Sequence, residues 1–144
     1  MAEPVFVDTW GWLTLRDRRE RFHEKVADFL KSASHGSAFS LLTSDYVLDE
    51  TFTLCFKRLS PAQATESIHL IERMASTGVL SIERISESRF EATIALRYKL
   101  QDKPDISFTD LSTMVVMEEL KIGSILSADA HFTHVGKGFT LLPG

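Results

Sequence analysis

The sequence predicts an α/β fold with a mostly parallel sheet, because short apolar runs alternate with longer stretches of helical periodicity. Short turns join these segments, and no linker or internal repeat interrupts the alternation. The 144 residues match the length of one domain, so a single domain over residues 1–144 is expected. The five apolar runs that predict strands are residues 5–7, 38–43, 79–85, 124–127 and 139–142.

The first half of the chain is predicted to form two strands, with helices after each. Residues 5–7 follow a proline and are apolar throughout, as in a buried strand. Apolar residues spaced along one helical face predict a helix over residues 19–34. After the second strand, residues 38–43, Ser44 or Asp45 can cap the next helix by accepting hydrogen bonds from its free N–H groups.

The second half of the chain continues the same alternation. Ser60–Pro61 opens a helix, because proline is favoured at the first helical position, and Gly78 ends it. The third strand, residues 79–85, leads to a helix that begins after Ser86. The last long helix follows a proline-containing loop and is expected to stop at Gly123, before the two closing strands.

Composition restricts the class of protein and its compartment. The single cysteine, Cys55, excludes an intrachain disulfide framework and a cysteine-rich zinc site, and its apolar helical stripe predicts a core position. The sequence has no signal-peptide pattern and no apolar stretch of ~18 residues, so a soluble, cytoplasmic protein without membrane contact is expected. The net charge is −4, with five acidic side chains against one basic in residues 104–132. Two bound divalent cations would balance this charge, so its sign does not exclude a nucleic-acid partner.

Four acidic residues have positions that indicate chemistry: Asp8, Glu50, Asp110 and Asp129. Asp8 and Asp129 follow predicted strands, and parallel sheets bind ligands outside the carboxyl ends of their strands. Glu50 and Asp110 lie near the starts of helices that share this edge. Two carboxylates ~4 Å apart repel by roughly 4 kcal/mol at an effective dielectric constant near 20, so a cluster of four ionised acids requires a cation. Such oxygen ligands suit Mg²⁺ or Mn²⁺, which serve in phosphodiester cleavage.

Each of these acids also has a purely structural interpretation, and for Glu50 it is a solvated helix face. Asp8 can cap a helix or form a strand-end turn, and Asp129 can open a turn. Ser107 and Asp110 together match a capping box, in which Asp110 would satisfy only backbone N–H groups. Each acid taken alone therefore leaves the structural and the functional interpretation open.

Four short motifs carry a resemblance to a known family. They are Val5-Phe6-Val7-Asp8-Thr9, Leu48-Asp49-Glu50-Thr51, Ser107-Phe108-Thr109-Asp110 and Ser127-Ala128-Asp129-Ala130-His131-Phe132. In this order, and over essentially the whole chain, they resemble PIN-domain ribonucleases, and most closely the VapC-type toxins of toxin–antitoxin pairs. Each motif is short and common, so the specificity of the resemblance lies in the ordered set.

The resemblance implies a PIN-like three-layer α/β/α fold and Mg²⁺- or Mn²⁺-dependent endonucleolytic cleavage of RNA by a metal-activated water. It implies a homodimer and a cognate antitoxin as partners. It also assigns Glu50 rather than Asp49 to the site, a choice that the helical wheel leaves open. The implied catalytic residues are Asp8, Glu50, Asp110 and Asp129, with Asp8, Asp110 and Asp129 as metal ligands and Asp105, Ser107 and Thr109 as auxiliary residues.

Contacts to RNA are expected from basic and aromatic residues that follow the first strand. The candidate phosphate ligands are Arg16, Arg18, Arg19 and Arg21, whose alternative is a solvated helix face paired with nearby acids. Trp10 and Trp12 can stack on bases, although packing is the more common role of such tryptophans. His131 and His134 adjoin Asp129, but the H-E-x-x-H pattern is absent, so surface or capping roles are expected for both.

The rival interpretation is a catalytically inactive PIN-like module that binds RNA or protein. The four acids argue against it, because a scaffold has no need to hold mutually repelling carboxylates together. Phosphatase and receiver-domain sites are excluded by their missing partners: Trp10 stands where the second aspartate of a D-x-D phosphatase motif would be.

Overall fold

The computed structural model describes residues 2–36 and 38–143, which form five strands and seven helices. In chain order these elements are β1 (Glu3–Val7), α1 (Thr9–Arg16), α2 (His23–His35), β2 (Phe39–Ser44), α3 (Asp45–Arg58), α4 (Pro61–Ser76), β3 (Leu80–Glu83), α5 (Glu87–Lys99), α6 (Phe108–Glu119), β4 (Ser124–Leu126), α7 (His131–His134) and β5 (Thr140–Leu142).

The five strands form one parallel sheet in the order β3-β2-β1-β4-β5. The chain moves outward from β1 to β3 on one side, then crosses back to β4 and β5 on the other. Because right-handed crossovers running in opposite directions place their helices on opposite faces, helices cover both faces of the sheet. The predicted α/β class and three-layer α/β/α architecture are confirmed, and the change of direction falls between β1 and β4.

The centre of the sheet is apolar on both faces. Val5, Phe6 and Val7 of β1 and Ile125 and Leu126 of β4 have no exposed surface. Strands covered on both sides need apolar residues at successive positions, which explains why these runs do not alternate. The largest fully buried side chains on the surrounding helices are Trp12, Ile71, Leu111, Met114, Met117 and Phe132.

Local capping determines where four helices begin. The side chains of Ser44, Ser60, Ser86 and Ser107 each accept a backbone N–H three residues further on, at the starts of α3, α4, α5 and α6. Gln63 closes a reciprocal capping box with Ser60, and Pro61 occupies the first turn of α4 as predicted.

Helix α1 was not predicted, and it brings the chain back over the sheet directly after β1. Gly11 makes this possible, because a Cβ there would lie 3.0 Å from side-chain atoms of Val7 and Leu126. The next residue, Trp12, is fully buried and donates from Nε1 to Thr43 Oγ1 at 3.2 Å. Trp12 is therefore a packing residue, which was the alternative to base stacking.

Three predicted boundaries are wrong. The helix predicted over residues 19–34 begins only at His23, because Asp17 accepts hydrogen bonds from the backbone and guanidinium of Arg19 and holds a turn. The last long helix stops at Glu119 rather than at Gly123, since Lys121 turns the chain with φ at 57°. The third strand is shorter than residues 79–85 and spans Leu80–Glu83.

Cys55 is buried with Leu13 and Ala64, as predicted for a core residue. In the part of the chain that the structure describes, no helix has the length and apolar character needed to cross a membrane.

Candidate active site

A cleft of about 430 Å³ opens at the carboxyl edge of the sheet, beside the ends of the paired strands β1 and β4. Parallel sheets bind ligands at such a switch point, because the loops leaving adjacent strands run to opposite faces. The residues that line the cleft are Asp8, Thr9, Trp10, Leu13, Thr14, Glu20, Glu50, Leu54, Arg58, Ser107, Asp110, Ala128 and Asp129. All four acids that the sequence singled out therefore lie in one cleft.

Asp8 is the most buried of the four acids, with 5% of its surface exposed. It occupies the N-cap position of α1, yet its side chain makes no capping hydrogen bond. Instead, Asp8 Oδ2 accepts a hydrogen bond of 2.9 Å from Ser127 Oγ, just beyond β4. The Asp8 side chain therefore does not cap α1, and its carboxylate lines the cleft.

Asp110 and Asp129 face each other across the cleft from two different elements. Asp110 lies in the first turn of α6, whose N-cap Ser107 accepts the Asp110 backbone N–H at 3.0 Å. Asp129 follows β4. Its backbone N–H donates to Ser127 Oγ, and its Oδ1 accepts the backbone N–H of His131. A hydrogen bond joins the Asp110 and Asp129 carboxyl groups.

The electrostatics of the cleft oppose ionisation of its two most enclosed acids. Burial raises the pKa of Asp8 to about 6, against a smaller opposing effect of the Ser127 hydrogen bond. Burial also raises the pKa of Asp110 to about 8, reinforced by the negative charge of Asp8 and by the hydrogen bond from Asp110 to Asp129. Such shifts at a cluster of carboxylates mark a place where a cation would be strongly stabilised.

The donor atoms of this cluster fit a divalent ion. One ligand atom each from Asp110, Asp129 and His131 lie within 4.8 Å of one another, and Asp8 lines the same cleft. Carboxylate oxygens are the donors that Mg²⁺ and Mn²⁺ take in proteins. Among the described residues, the buried Nδ1 of His131 also has no hydrogen-bond partner, so this nitrogen is available to bind an ion.

Glu50 and its neighbour Asp49 lie on different sides of α3. Glu50 is half-buried and lines the acidic cleft. Asp49 is exposed and lines a separate pocket with Leu48, Phe52 and Ile82. Glu50, which the resemblance to the PIN family assigns to the site, therefore lines the cleft, and Asp49 does not.

The three auxiliary candidates lie at different distances from the cleft. Ser107 lines it, while Asp105 and Thr109, both described, lie outside the lining. Asp105 is an exposed residue of the loop before α6, and the carbonyl of Thr109 accepts hydrogen bonds from Ser112 and Thr113 within the helix.

A second groove, of about 660 Å³, runs beside the acidic cleft and contains most of the candidate arginines. Arg16, Arg18, Arg19 and Arg58 line it, and Arg58 also lines the acidic cleft. Arg16 is held by Ser67 at 2.7 Å and by Glu66 at 3.1 Å, whereas 74% of the Arg19 side chain stays exposed beside Asp17.

Arg21 and Trp10 both lie against the ring of Phe22. Arg21 stacks over the ring of Phe22 with its guanidinium carbon 5.2 Å from the ring centre. The ring of Trp10 lies 6.3 Å from that of Phe22, and Trp10 is half-buried in the wall of the acidic cleft. Arg21 therefore does not line the basic groove with the other three candidate arginines.

Three residues that line the cleft or contact its acids were missed or assigned another role from sequence. Ser127 joins Asp8 to Asp129, Arg58 separates the cleft from the basic groove, and His131 lies against Asp129 with its Nδ1 3.1 Å from Oδ1. The spacing Asp129-x-His131 was the available signal for the histidine. No signal identified Arg58, which lies at the far end of a helix whose start supplies Glu50.

Fold and cleft together define an α/β/α protein with an acidic centre at the switch point of a parallel sheet. The family model of the PIN domain matches residues 5–138, and the chain belongs to that family. No curated protein matches the chain in sequence.

Two solved structures share the fold. The toxin VapC20 of Mycobacterium tuberculosis, described as cleaving the sarcin–ricin loop, is 23% identical with a TM-score of 0.77, covering 92% of this chain and 95% of its own. VapBC2 of Rickettsia felis, solved with a DNA fragment of its promoter, is 15% identical with a TM-score of 0.70, covering 96% of each chain.

Proposed function

We propose that the protein is a divalent-metal-dependent endoribonuclease, and that it acts in the cytoplasm as the toxin of a toxin–antitoxin pair. The observation that carries the proposal is the convergence of Asp8, Glu50, Asp110 and Asp129 on one cleft, two of them with raised pKa values. The PIN family match and the structural likeness to a toxin described as an RNA-cleaving enzyme support this function.

Asp8, Asp110 and Asp129 would hold Mg²⁺ or Mn²⁺ in the proposed site. The bound ion would supply an acidified water and neutralise charge on the phosphate. Ion binding requires the acids to give up protons, so the raised pKa values of Asp8 and Asp110 fall when the cation is present. Ser127 orients the Asp8 carboxylate through its hydrogen bond. Glu50 lines the same cleft and would accept a proton from the attacking water.

The basic groove is the proposed path of the RNA backbone away from the site. Arg58 adjoins both the groove and the cleft, and Arg18 and Arg19 are exposed along the groove. Arg16 and Arg19 would contribute less than Arg18, because the Arg16 guanidinium is already paired with Glu66 and the Arg19 guanidinium with Asp17. RNA affinity that comes from such phosphate contacts falls as the salt concentration rises, because the release of counterions on binding becomes less favourable.

Two partners belong to the same proposal. A cognate antitoxin is suggested by the VapC-like resemblance and by the VapBC2 structural neighbour. A second copy of the chain is suggested by the resemblance alone. Neither partner is needed for the cleft itself, since all four acids come from a single chain.

The test is cleavage of total small RNA by the purified protein with Mg²⁺, with Mn²⁺ and with EDTA. Asp8→Asn is the loss-of-function variant, and Asp105→Asn, an exposed acid outside the cleft, is its matched control. Discrete products that require the metal and Asp8 but not Asp105 support the proposal. Cleavage that survives Asp8→Asn would contradict it.

The alternative function is an inactive PIN-like module that binds RNA or protein. Metal-independent RNA binding without product formation, unchanged in Asp8→Asn, would favour this alternative. The salt dependence of RNA binding in a double Arg18→Ala, Arg19→Ala variant then tells whether the basic groove is the binding surface.

A further inference from the structure

His131 lies beside two of the proposed metal ligands, Asp110 and Asp129, and its buried ring atom Nδ1 has no hydrogen-bond partner among the described residues. It is the first residue of α7, and its backbone N–H donates to Asp129 Oδ1 at 2.9 Å. Its ring nitrogen Nδ1 is 3.1 Å from the same oxygen. Nδ1 is buried and makes no hydrogen bond to any described residue, so the short contact is not an aligned donor–acceptor pair.

The separation of these two atoms matches that of adjacent ligands on one ion. Ligands bonded at about 2.1 Å and at a right angle lie about 3 Å apart, which is the geometry of neighbouring positions in an octahedral site. Asp110 completes the group, because its ligand atom lies within 4.8 Å of those of Asp129 and His131. The side chain is 35% exposed. A neutral imidazole that offers the Nδ1 lone pair to an ion carries its proton on Nε2.

We infer that His131 is a nitrogen ligand of the ion held by Asp110 and Asp129. This inference rests on the proposed function, and it adds a donor of a different chemical class to an otherwise all-oxygen site. Imidazole favours transition metals, whereas Mg²⁺ takes oxygen donors almost exclusively. The site therefore selects Mn²⁺ over Mg²⁺ more strongly than its carboxylates alone would.

The test is a magnetic-resonance measurement on the full-length protein loaded with Mn²⁺. Electron spin-echo envelope modulation detects the coupling of a directly bonded ¹⁴N nucleus to Mn²⁺, and it is independent of RNA cleavage. The variants are His131→Gln and the matched control His134→Gln, which changes an exposed histidine of the same short helix. Asp110→Asn shows how much of the Mn²⁺ signal remains when one proposed carboxylate ligand is removed.

The expected result is a ¹⁴N coupling in the unmodified protein that is lost in His131→Gln and kept in His134→Gln. The Mn²⁺ dissociation constant rises about tenfold in His131→Gln, while that of Mg²⁺ changes by less than about threefold. Mn²⁺ bound in an Asp110-dependent way, but without the ¹⁴N coupling, overturns the role of His131 and leaves the metal site standing. Absence of Mn²⁺ binding in the unmodified protein overturns both the inference and the proposed function.

Discussion

The hydroxyl of Ser127 donates a 2.9 Å hydrogen bond to Oδ2 of Asp8, a residue 119 positions earlier in the chain. The hydroxyl oxygen of Ser127 also accepts the backbone N–H of Asp129 at 3.0 Å. One buried hydroxyl therefore sets the positions of two acids of the cleft, and it links the end of β1 to the segment that follows β4. Its removal should change the acidity of the cleft as well as the stability of the fold.

Substitution Ser127→Ala is expected to raise the pKa of Asp8 above its value of about 6, because the hydrogen bond that favours the carboxylate is lost. The free energy of unfolding should fall by about 1 kcal/mol. The measurement is a carboxyl-carbon NMR titration of the metal-free protein. Ser124→Ala is the control, since Ser124 Oγ donates at 2.9 Å to Glu3 Oε1 at the opposite end of β4. An unchanged Asp8 titration in Ser127→Ala would contradict the expected effect.

The metal-free protein should lose stability as the pH rises from about 4 to about 8. The folded-state pKa values of Asp8 and Asp110 lie above the ordinary 3.8, so the folded state binds more protons than the unfolded chain throughout this window. At about 1.4 kcal/mol per pKa unit, Asp8 alone accounts for about 3 kcal/mol. Urea unfolding in EDTA at pH 4 and pH 8.5 measures most of this difference. A saturating divalent ion should flatten the profile, and an equally steep loss with the ion present would be the contrary outcome.

Asp110→Asn should stabilise the metal-free protein and abolish its response to metal. An amide keeps a donor toward Asp129 but removes the acid whose ionisation burial and Asp8 oppose. The melting temperature in EDTA at pH 8.5 is expected to rise by about 3 °C or more. The further increase that Mn²⁺ gives the unmodified protein should disappear. Asp105→Asn is expected to behave as the unmodified protein in both conditions, and a metal-induced shift retained by Asp110→Asn would remove Asp110 from the site.

Glu50→Gln and Asp49→Asn change adjacent acids of α3 that lie in different pockets. The first should lower the RNA cleavage rate by about tenfold or more, because it removes an acceptor from the cleft. The second should leave the rate within about twofold. Single-turnover cleavage at saturating Mn²⁺ measures both, and equal losses in the two variants would show that the helix rather than the cleft had been disturbed.

Local signals predicted most of the secondary structure. Ser44, Ser60, Ser86 and Ser107 each begin a helix through a hydrogen bond to a residue three positions away, which is information contained in a short segment. Buried strands such as Val5–Val7 also need only their own apolar residues to be recognised. These elements sufficed to predict the parallel sheet and the edge at which the acids gather.

The features that the sequence did not predict depend on distant contacts. Helix α1 is stabilised by the burial of Trp12 against Thr43 and by the close approach that Gly11 allows, and glycine by itself disfavours a helix. The choice between Asp49 and Glu50 depends on which side of α3 faces the cleft, which periodicity alone left undecided. His131 is brought to Asp110 by the packing of two elements that are separate in sequence.

The strand order also controls when the cleft can exist during synthesis. Strand β1 is made first, but its neighbour β4 and the Ser127–Asp129 segment emerge only after the helices up to α6. Because chains are synthesised from the amino terminus, a nascent or truncated polypeptide that lacks these residues holds Asp8 without Asp129. A polypeptide that ends before this segment therefore cannot bring the four acids of the cleft together.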